Sequence, residues 1–438
     1  MNKLLPGPRG AVLQTLRYAW NPWSVLRTCQ RRYGDPFTIP SVLGPVVFTG
    51  TPEGAKDILH AAEDTFDGFG MPAVGAILGQ TSLMLAGGAA HRRMRKLHTP
   101  AFRPQRVRSF DTHILTAIER VISSLQPGAV ITALDIGRAI SLEVIVRVVF
   151  GGTEDAGAAY VRELLREMVA SVSPWLLLMP ALQQNALGFG PWARHRRAAA
   201  ALDRYIREES ARRRKDPGED VLTQLLLAQD DEGRTMSEQE LRDQLVTLLI
   251  AGYDTSAFAL AWALYHIHKW PTVLTRLRDE IGNRSMTNDT EAIMRLPYLD
   301  AVVSEVLRLE PLAPEVLRTT VRPFVLRGHA LPTGTAVALS VTLLHEDPNI
   351  FPEPASFKPQ RFLDRSFSPH EYAPYGGGAF RCIGAGLATR EMKLAVASFV
   401  SRVEMALNSE RPIKPVRKHF LMGPDAPIEM TIIARNHL

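Results

Sequence analysis

Residues 375–384 read YGGGAFRCIG, a stretch that sets Cys382 among glycines in a chain whose only other cysteine is Cys29. Gly376, Gly377 and Gly378 before the cysteine and Gly384 after it permit positive φ and close backbone approach, which suits a loop folded under a flat ligand. A helix is expected to begin at about Ile383, so its first amides would point at the sulfur and favour a thiolate. Taken alone, a single cysteine is more often a small buried hydrophobe. No CxxC pair and no His/Cys cluster accompanies it, which speaks against a disulfide framework and leaves zinc or an iron–sulfur cluster short of ligands.

The rest of the chain bounds what that thiol can serve. At 438 residues and 46% hydrophobic, it can bury a large core. No repeat, low-complexity tract or long Gly/Ser linker divides it, so one domain over residues 1–438 is expected. The 51 Lys and Arg exceed the 45 Asp and Glu, a net charge of +6, but the arginines are spread over many helical segments, which argues against nucleic acid as a partner. Pro6, Gly7, Pro8 and Arg9 interrupt the start well short of the roughly 20 apolar residues of a membrane span, so no anchor is expected. Two isolated cysteines fit a reducing, cytoplasmic compartment.

Strand signals cluster at 37–50, with a turn at Leu43-Gly44, and at 324–341. Helical periodicity dominates elsewhere: Thr112–Leu125, Leu134–Phe150, Ala158–Val172, Trp192–Lys215, Ser237–His268, Pro271–Ile281, Tyr298–Leu309 and Gly384–Leu407. The expectation is a mainly α fold with small β-sheets and a helical core over 91–407. Gln244 to Leu264 is apolar on all sides, so that helix should run through the core. Asp254 and Thr255 in its middle are costly to bury without a purpose. A back-bonded threonine and an Asp–Arg pair would account for them; so would a ligand approaching at Gly252 and a proton relay through the acid and the alcohol. Glu305 and Arg308 share a helical face at i,i+3. His91 and Arg95 share one at i,i+4 and could clamp an anion, although a solvated basic helix reads the same way.

A single axial thiolate is what heme iron can use, and 375–384 resembles the heme-binding loop of the cytochrome P450 family: an aromatic, two residues, Gly, one residue, Arg or His, one residue, Cys, one residue, Gly. Tyr375, Gly378, Cys382 and Gly384 match, Tyr375 standing in for the usual Phe. Phe380 departs from the pattern at the Arg or His position, with Arg381 next to the cysteine instead. Ala251-Gly252-Tyr253-Asp254-Thr255-Ser256 resembles the family's oxygen-activating motif. Glu305 and Arg308, with Arg361 in FKPQRF, are similar to its structural ion-pair motif. His91 and Arg95, with Arg318 in VLRTT, match its propionate contacts. The four motifs occur in the family's order across roughly residues 5 to 435.

The resemblance implies a single domain enclosing heme b, with Cys382 as iron ligand and Asp254 and Thr255 as proton donors. It implies an oxygenase that hydroxylates or epoxidises a lipophilic small molecule in secondary metabolism: a terpenoid, steroid, fatty acid or polyketide. O2 and two electrons are required, and no G-x-G-x-x-G opens a helix after a strand, so the electrons come from separate proteins; the resemblance implies a ferredoxin-type donor with its reductase. A monomer is implied. Arg92, Arg93, Lys96 and Arg103 would face outward for such a donor. The pocket would be lined from Phe69 to Leu85, Met168 to Phe189, Leu248 to Thr255, Leu312 to Val316 and Phe420 to Met422, with Trp175 and Met179 prominent. Glu315 would meet a polar group of the substrate or turn to solvent. Two other readings stand beside this one: an atypical heme-thiolate enzyme (peroxygenase, isomerase or dehydratase), which often lacks the acid–alcohol pair, and a non-enzymatic heme sensor.

Overall fold

In the computed structural model, which describes residues 5–68, 72–151, 156–172, 176, 183, 189–282, 289–418 and 421–435, the longest element is the helix Glu238–Lys269. Its start is set by a capping box. Glu240 N–H donates to Ser237 Oγ at 3.2 Å, and Ser237 N–H donates to a Glu240 carboxylate oxygen at 2.8 Å. By length and composition this helix could cross a membrane, but here most of it is buried among other helices. The helix Ala133–Phe150 lies along it. Two glycines allow their close approach: a Cβ on Gly137 would stand 2.4 Å from the Ala257 carbonyl oxygen, and one on Gly252 would stand 2.6 Å from Ile145 Cδ1. Helix Ala385–Arg402 and helix Pro297–Leu309 complete the packing around the central helix. The main core fills the spaces between them.

The β structure is peripheral. A five-stranded sheet runs Phe37–Ile39, Val46–Thr49, Ala336–Ser340, Glu315–Thr320, Phe66–Gly68; only Val46–Thr49 and Ala336–Ser340 pair in parallel. The hairpin expected at 37–50 forms, Phe37 opposite Phe48. The region 324–341 supplies the pair Phe324–Leu326 and His329–Leu331 and the strand Ala336–Ser340. A three-stranded sheet joins Val130–Thr132, Glu429–Arg435 and Val403–Leu407.

One boundary differs from expectation. The helix expected to reach Leu407 ends at Arg402, and Val403–Leu407 is a strand. Its buried Val403 and Met405 alternate with exposed Glu404, a period of two that short apolar runs do not separate from helix. Helices Ala11–Trp20, Pro22–Tyr33 and Pro52–Leu59 were not expected and form.

The Glu305 group sets the approach to the cysteine loop. Glu305 and Arg308 are fully buried, with Arg308 Nε and Nη2 donating to the two carboxylate oxygens at 2.6 and 2.9 Å. Arg361 Nε adds a third charged donor at 3.1 Å, and the uncharged Lys358 backbone amide donates as well at 2.8 Å. Arg308 Nη1 also donates to the His345 carbonyl, and His345 Nε2 accepts from Ala373 N–H at 3.0 Å, just before the loop. A carboxylate this buried is tolerable because each oxygen is bonded to a cation. The pair is therefore a buried lock rather than a surface helix pair.

Candidate active site

The cysteine loop is shaped by backbone constraints first. Gly378 has φ +62°, and a Cβ there would fall 2.3 Å from the Leu59 carbonyl oxygen, so both conformation and space require glycine. Gly384 differs: its φ is −82°, and the nearest atom to a Cβ would be Cys382 Sγ at 4.0 Å. Glycine at 384 is thus not demanded by protein contacts, and it leaves clear the side that carries the sulfur. Cys382 N–H donates to the Tyr375 carbonyl at 2.9 Å, closing the loop. Tyr375 replaces phenylalanine without leaving an orphan hydroxyl, since its OH lies 2.9 Å from Thr389 Oγ1; burial raises its pKa to about 12.

Cys382 is exposed, whereas Cys29 is packed in the core. Enough protein surrounds Cys382 that desolvation raises its thiol pKa, opposed by the Gly384 amide, Arg95, Arg381 and the Ala385 amide. The amide donors expected from the helix start at Ala385 are present, but in the protein alone they do not outweigh burial. A metal cation at the sulfur would reverse that balance.

Around the loop stand three bases. His91 is buried, and desolvation followed by Arg318, Arg95 and Arg92 lowers its pKa to about 4, so it is neutral at pH 7. Burial alone brings Arg318 down to about 10. Arg95 is also lowered, first by burial, and its Nη1 donates to the Arg381 carbonyl at 2.5 Å. The buried guanidiniums of Arg147, Arg213, Arg308, Arg361 and Arg390 each meet a carboxylate. Arg95 and Arg318 form no ion pair among the described residues. Two desolvated cations without a counter-ion fit an anionic ligand, and the carboxylates of a heme satisfy that requirement. Phe380 occupies the space between two of the bases: its ring centroid is 4.1 Å from that of His91 and 4.0 Å from the Arg318 guanidinium carbon. An aromatic face thus braces the bases where a further base was expected.

The central helix opens on one side only. Residues 247–250 and 253–254 are buried, but Ala251 is exposed and Thr255 half-buried in mid-helix, four residues apart and therefore on one face. The described residues leave that face uncovered. Thr255 Oγ1 donates to the Ala251 carbonyl at 2.5 Å, and buried Asp254 accepts from Arg138 Nε at 3.3 Å. Both contacts that would account for these residues structurally are present. Gly252 has a packing reason in Ile145, given above, rather than a visible ligand-facing one.

Sequence reasoning passed over Glu391, on the helix that follows Cys382. It is buried, accepts from Ser141 Oγ at 2.7 Å and from Ser256, and desolvation raises its pKa to about 7. An acid in the apolar run EMKLAVASFV was the available signal, of the same kind as Asp254.

Of the pocket stretches, Trp175, Met179, Phe69 and Phe420 lie outside the described residues. Leu312 and Met422 are joined, the Met422 amide donating to the Leu312 carbonyl at 2.8 Å, but Met422 and Met168 are buried in the core. Glu315 takes neither expected course. Its side chain is buried beside Arg417, 3.6 Å away, and Tyr18. Strand alternation sends it to the face opposite Val316 and Arg318. The outward basic set is also smaller than expected. Arg93 is paired with Asp230 and Glu240, both at 2.6 Å, and Lys96 with Asp231, leaving Arg92 and Arg103 exposed and without an ion pair among the described residues.

The sequence profile described as Cytochrome P450 matches residues 6–431. A protein of Mycobacterium bovis named as cytochrome P450 135B1 is 32% identical over 431 residues, covering 96% of this chain and 89% of that one. One of Mycobacterium tuberculosis named as cytochrome P450 135A1 is 32% identical over 448 residues, covering 99% and 96%. Among solved structures, retinoic acid-bound cyanobacterial CYP120A1 superposes with a TM-score of 0.82 at 23% identity, covering 98% of this chain and 99% of that one.

Proposed function

Because this chain belongs to the cytochrome P450 family, and so is a heme b-dependent oxidoreductase of the monooxygenase class, we propose that it hydroxylates or epoxidises a terpenoid, steroid, fatty acid or polyketide with electrons from a ferredoxin-type donor and its reductase. The observation that carries the assignment of the site is an exposed thiol, Cys382, ringed by desolvated bases that lack carboxylate partners. Heme b, when bound, supplies the one-electron and O2 chemistry. Cys382 is the residue to ligate its iron, and His91, Arg95 and Arg318 are those to hold its propionates, with Tyr375, Gly378 and Gly384 shaping the loop beneath.

Asp254 and Thr255 are the residues to move protons. Thr255 Oγ donates to its own helix, which leaves its lone pairs free to accept a hydrogen bond from a proton donor on the uncovered face. Asp254 is held by a 3.3 Å contact to a partly exposed Arg138, a contact that solvent can replace. The half-open helix face beside Ala251 and the apolar Leu248 suits a lipophilic substrate. The intact acid–alcohol pair weighs for O2 chemistry over peroxygenase, isomerase or dehydratase reactions. Free cysteines and a monomeric, cytoplasmic protein are consistent with the same reading.

The test is optical. Purified ferric protein titrated with members of the four substrate classes should show a saturable low-to-high-spin shift with one class. Cys382→Ser should lose the thiolate-type spectrum; a variant that keeps it would refute the ligand assignment.

A further inference from the structure

Position 380 is where the cysteine loop departs from the pattern it otherwise follows, a phenylalanine standing where arginine or histidine is usual. The Phe380 side chain is half-buried and packs against the small core that contains Ile58, Leu59 and Phe66. The loop is pressed onto that core, since the Leu59 carbonyl oxygen would stand 2.3 Å from a Cβ at Gly378. Phe380 is therefore a fixed surface, and two of the three bases of the site rest on it. Its ring centroid lies 4.1 Å from that of His91, with the planes inclined at 30°, and 4.0 Å from the Arg318 guanidinium carbon.

Little else places these two side chains. Arg318 Nη1 donates at 2.6 Å to the carbonyl of Leu317, its own neighbour in the strand, and Arg318 forms no ion pair among the described residues. Among those residues the buried His91 ring meets no aromatic ring besides Phe380. Arg95 is fixed by other means: its Nη1 donates to the Arg381 backbone carbonyl at 2.5 Å, an acceptor that any residue at 381 supplies. Of the loop side chains, then, the one at 380 sets where Arg318 and His91 stand.

We propose that Phe380 takes the place of a propionate-binding base by preorganising the bases that remain, so that heme retention depends on an aromatic face at 380 and not on charge there. The proposal rests on His91, Arg95 and Arg318 as the residues that hold the propionates. Arg95 and Arg318 already match the pair of carboxylates on heme b. A base at 380 would set a third positive charge against two guanidiniums that are desolvated and lack a carboxylate partner among the described residues. A ring face attracts Arg318 without adding charge, and it orders a long side chain before the ligand arrives rather than at the expense of binding.

The experiment follows transfer of ferric heme from the loaded protein to excess apomyoglobin. Phe380→Leu should lose heme about tenfold faster than wild type, and Phe380→Tyr at about the wild-type rate. Phe380→Arg, although it restores the usual type of residue, should also lose heme faster. In an Arg318→Ala background the effect of Phe380→Leu should shrink to about threefold or less, whereas a general packing defect would persist there undiminished. Unchanged heme loss in Phe380→Leu, slower loss in Phe380→Arg, or an undiminished effect without Arg318 would each overturn the proposal alone. Wild-type retention in Arg318→Ala would refute the propionate assignment, and the proposal with it.

Discussion

At the scale of single residues, the chain buries two acids on the packed helices Glu238–Lys269 and Ala385–Arg402 and treats them differently. Asp254 keeps a guanidinium partner, whereas Glu391 is met by serine hydroxyls among the described residues and has a pKa of about 7. For Glu391 the folded value lies above the ordinary glutamate value of 4.5, so the unfolded chain ionises first as pH rises. Its contribution is intact below about pH 4.5 and is lost as pH rises to about 7, a cost of roughly 3 kcal/mol. Glu391→Gln should therefore flatten the decline of the thermal midpoint between pH 5 and 7.5 in buffers of equal ionic strength. An unchanged slope would show that Glu391 is not the titrating group. For Thr255, replacement by alanine should leave the spectrum intact but raise peroxide release at the expense of product by about tenfold or more. Coupling equal to wild type would remove it from the proton path. Asp254 and Thr255 were legible because polar residues interrupt an apolar run; Glu391 carried the same signal in a helix that was read only for its hydrophobic period.

Among elements, the decisive contact is the central helix Glu238–Lys269 against Ala133–Phe150, which puts the Ala251–Thr255 turn at a fixed height. The two glycines at that interface should respond unequally to alanine. At Gly137 the new methyl meets a backbone carbonyl, which cannot rotate away, and the loss should be about 1–3 kcal/mol despite better helix propensity. At Gly252 it meets the end of an isoleucine side chain, which can move, so the change should be under about 1 kcal/mol. Urea midpoints of the two variants decide the matter; an equal or reversed order would contradict this account of the interface. Helix cores of this length were readable from periodicity. The strand Val403–Leu407 was not, because five residues satisfy either period and only its pairing with Glu429–Arg435 selects one.

On the scale of the whole molecule, ion pairing within the protein decides which charges remain for a partner. Arg93 and Lys96 are consumed by acids of the 230–240 segment, which leaves Arg92 and Arg103 as exposed cations with no ion pair among the described residues. Arg92→Glu/Arg103→Glu should slow reduction by an acidic ferredoxin about tenfold at low ionic strength, with the difference shrinking as salt is added. Arg93→Glu should instead lower stability, since it leaves Asp230 and Glu240 facing a third negative charge. Equal reduction rates for the double variant would place the donor elsewhere.

The amino-acid sequence by itself determined the family and the helical class, and pointed to the cysteine proposed as heme ligand, because a cysteine loop, an acid–alcohol pair and two charge motifs are local patterns whose spacing survives in a linear reading. It also located the hairpin at 37–50 from its turn residues. Only the tertiary structure decided that Glu315 is buried beside Arg417, that Phe380 braces His91 and Arg318, that Gly252 serves helix packing, and that Arg93 and Lys96 are already paired. The physical reason is common to all four. Each outcome depends on a partner more than thirty residues distant, and a side chain's desolvation and charge balance are set by those neighbours rather than by the residues beside it in the chain.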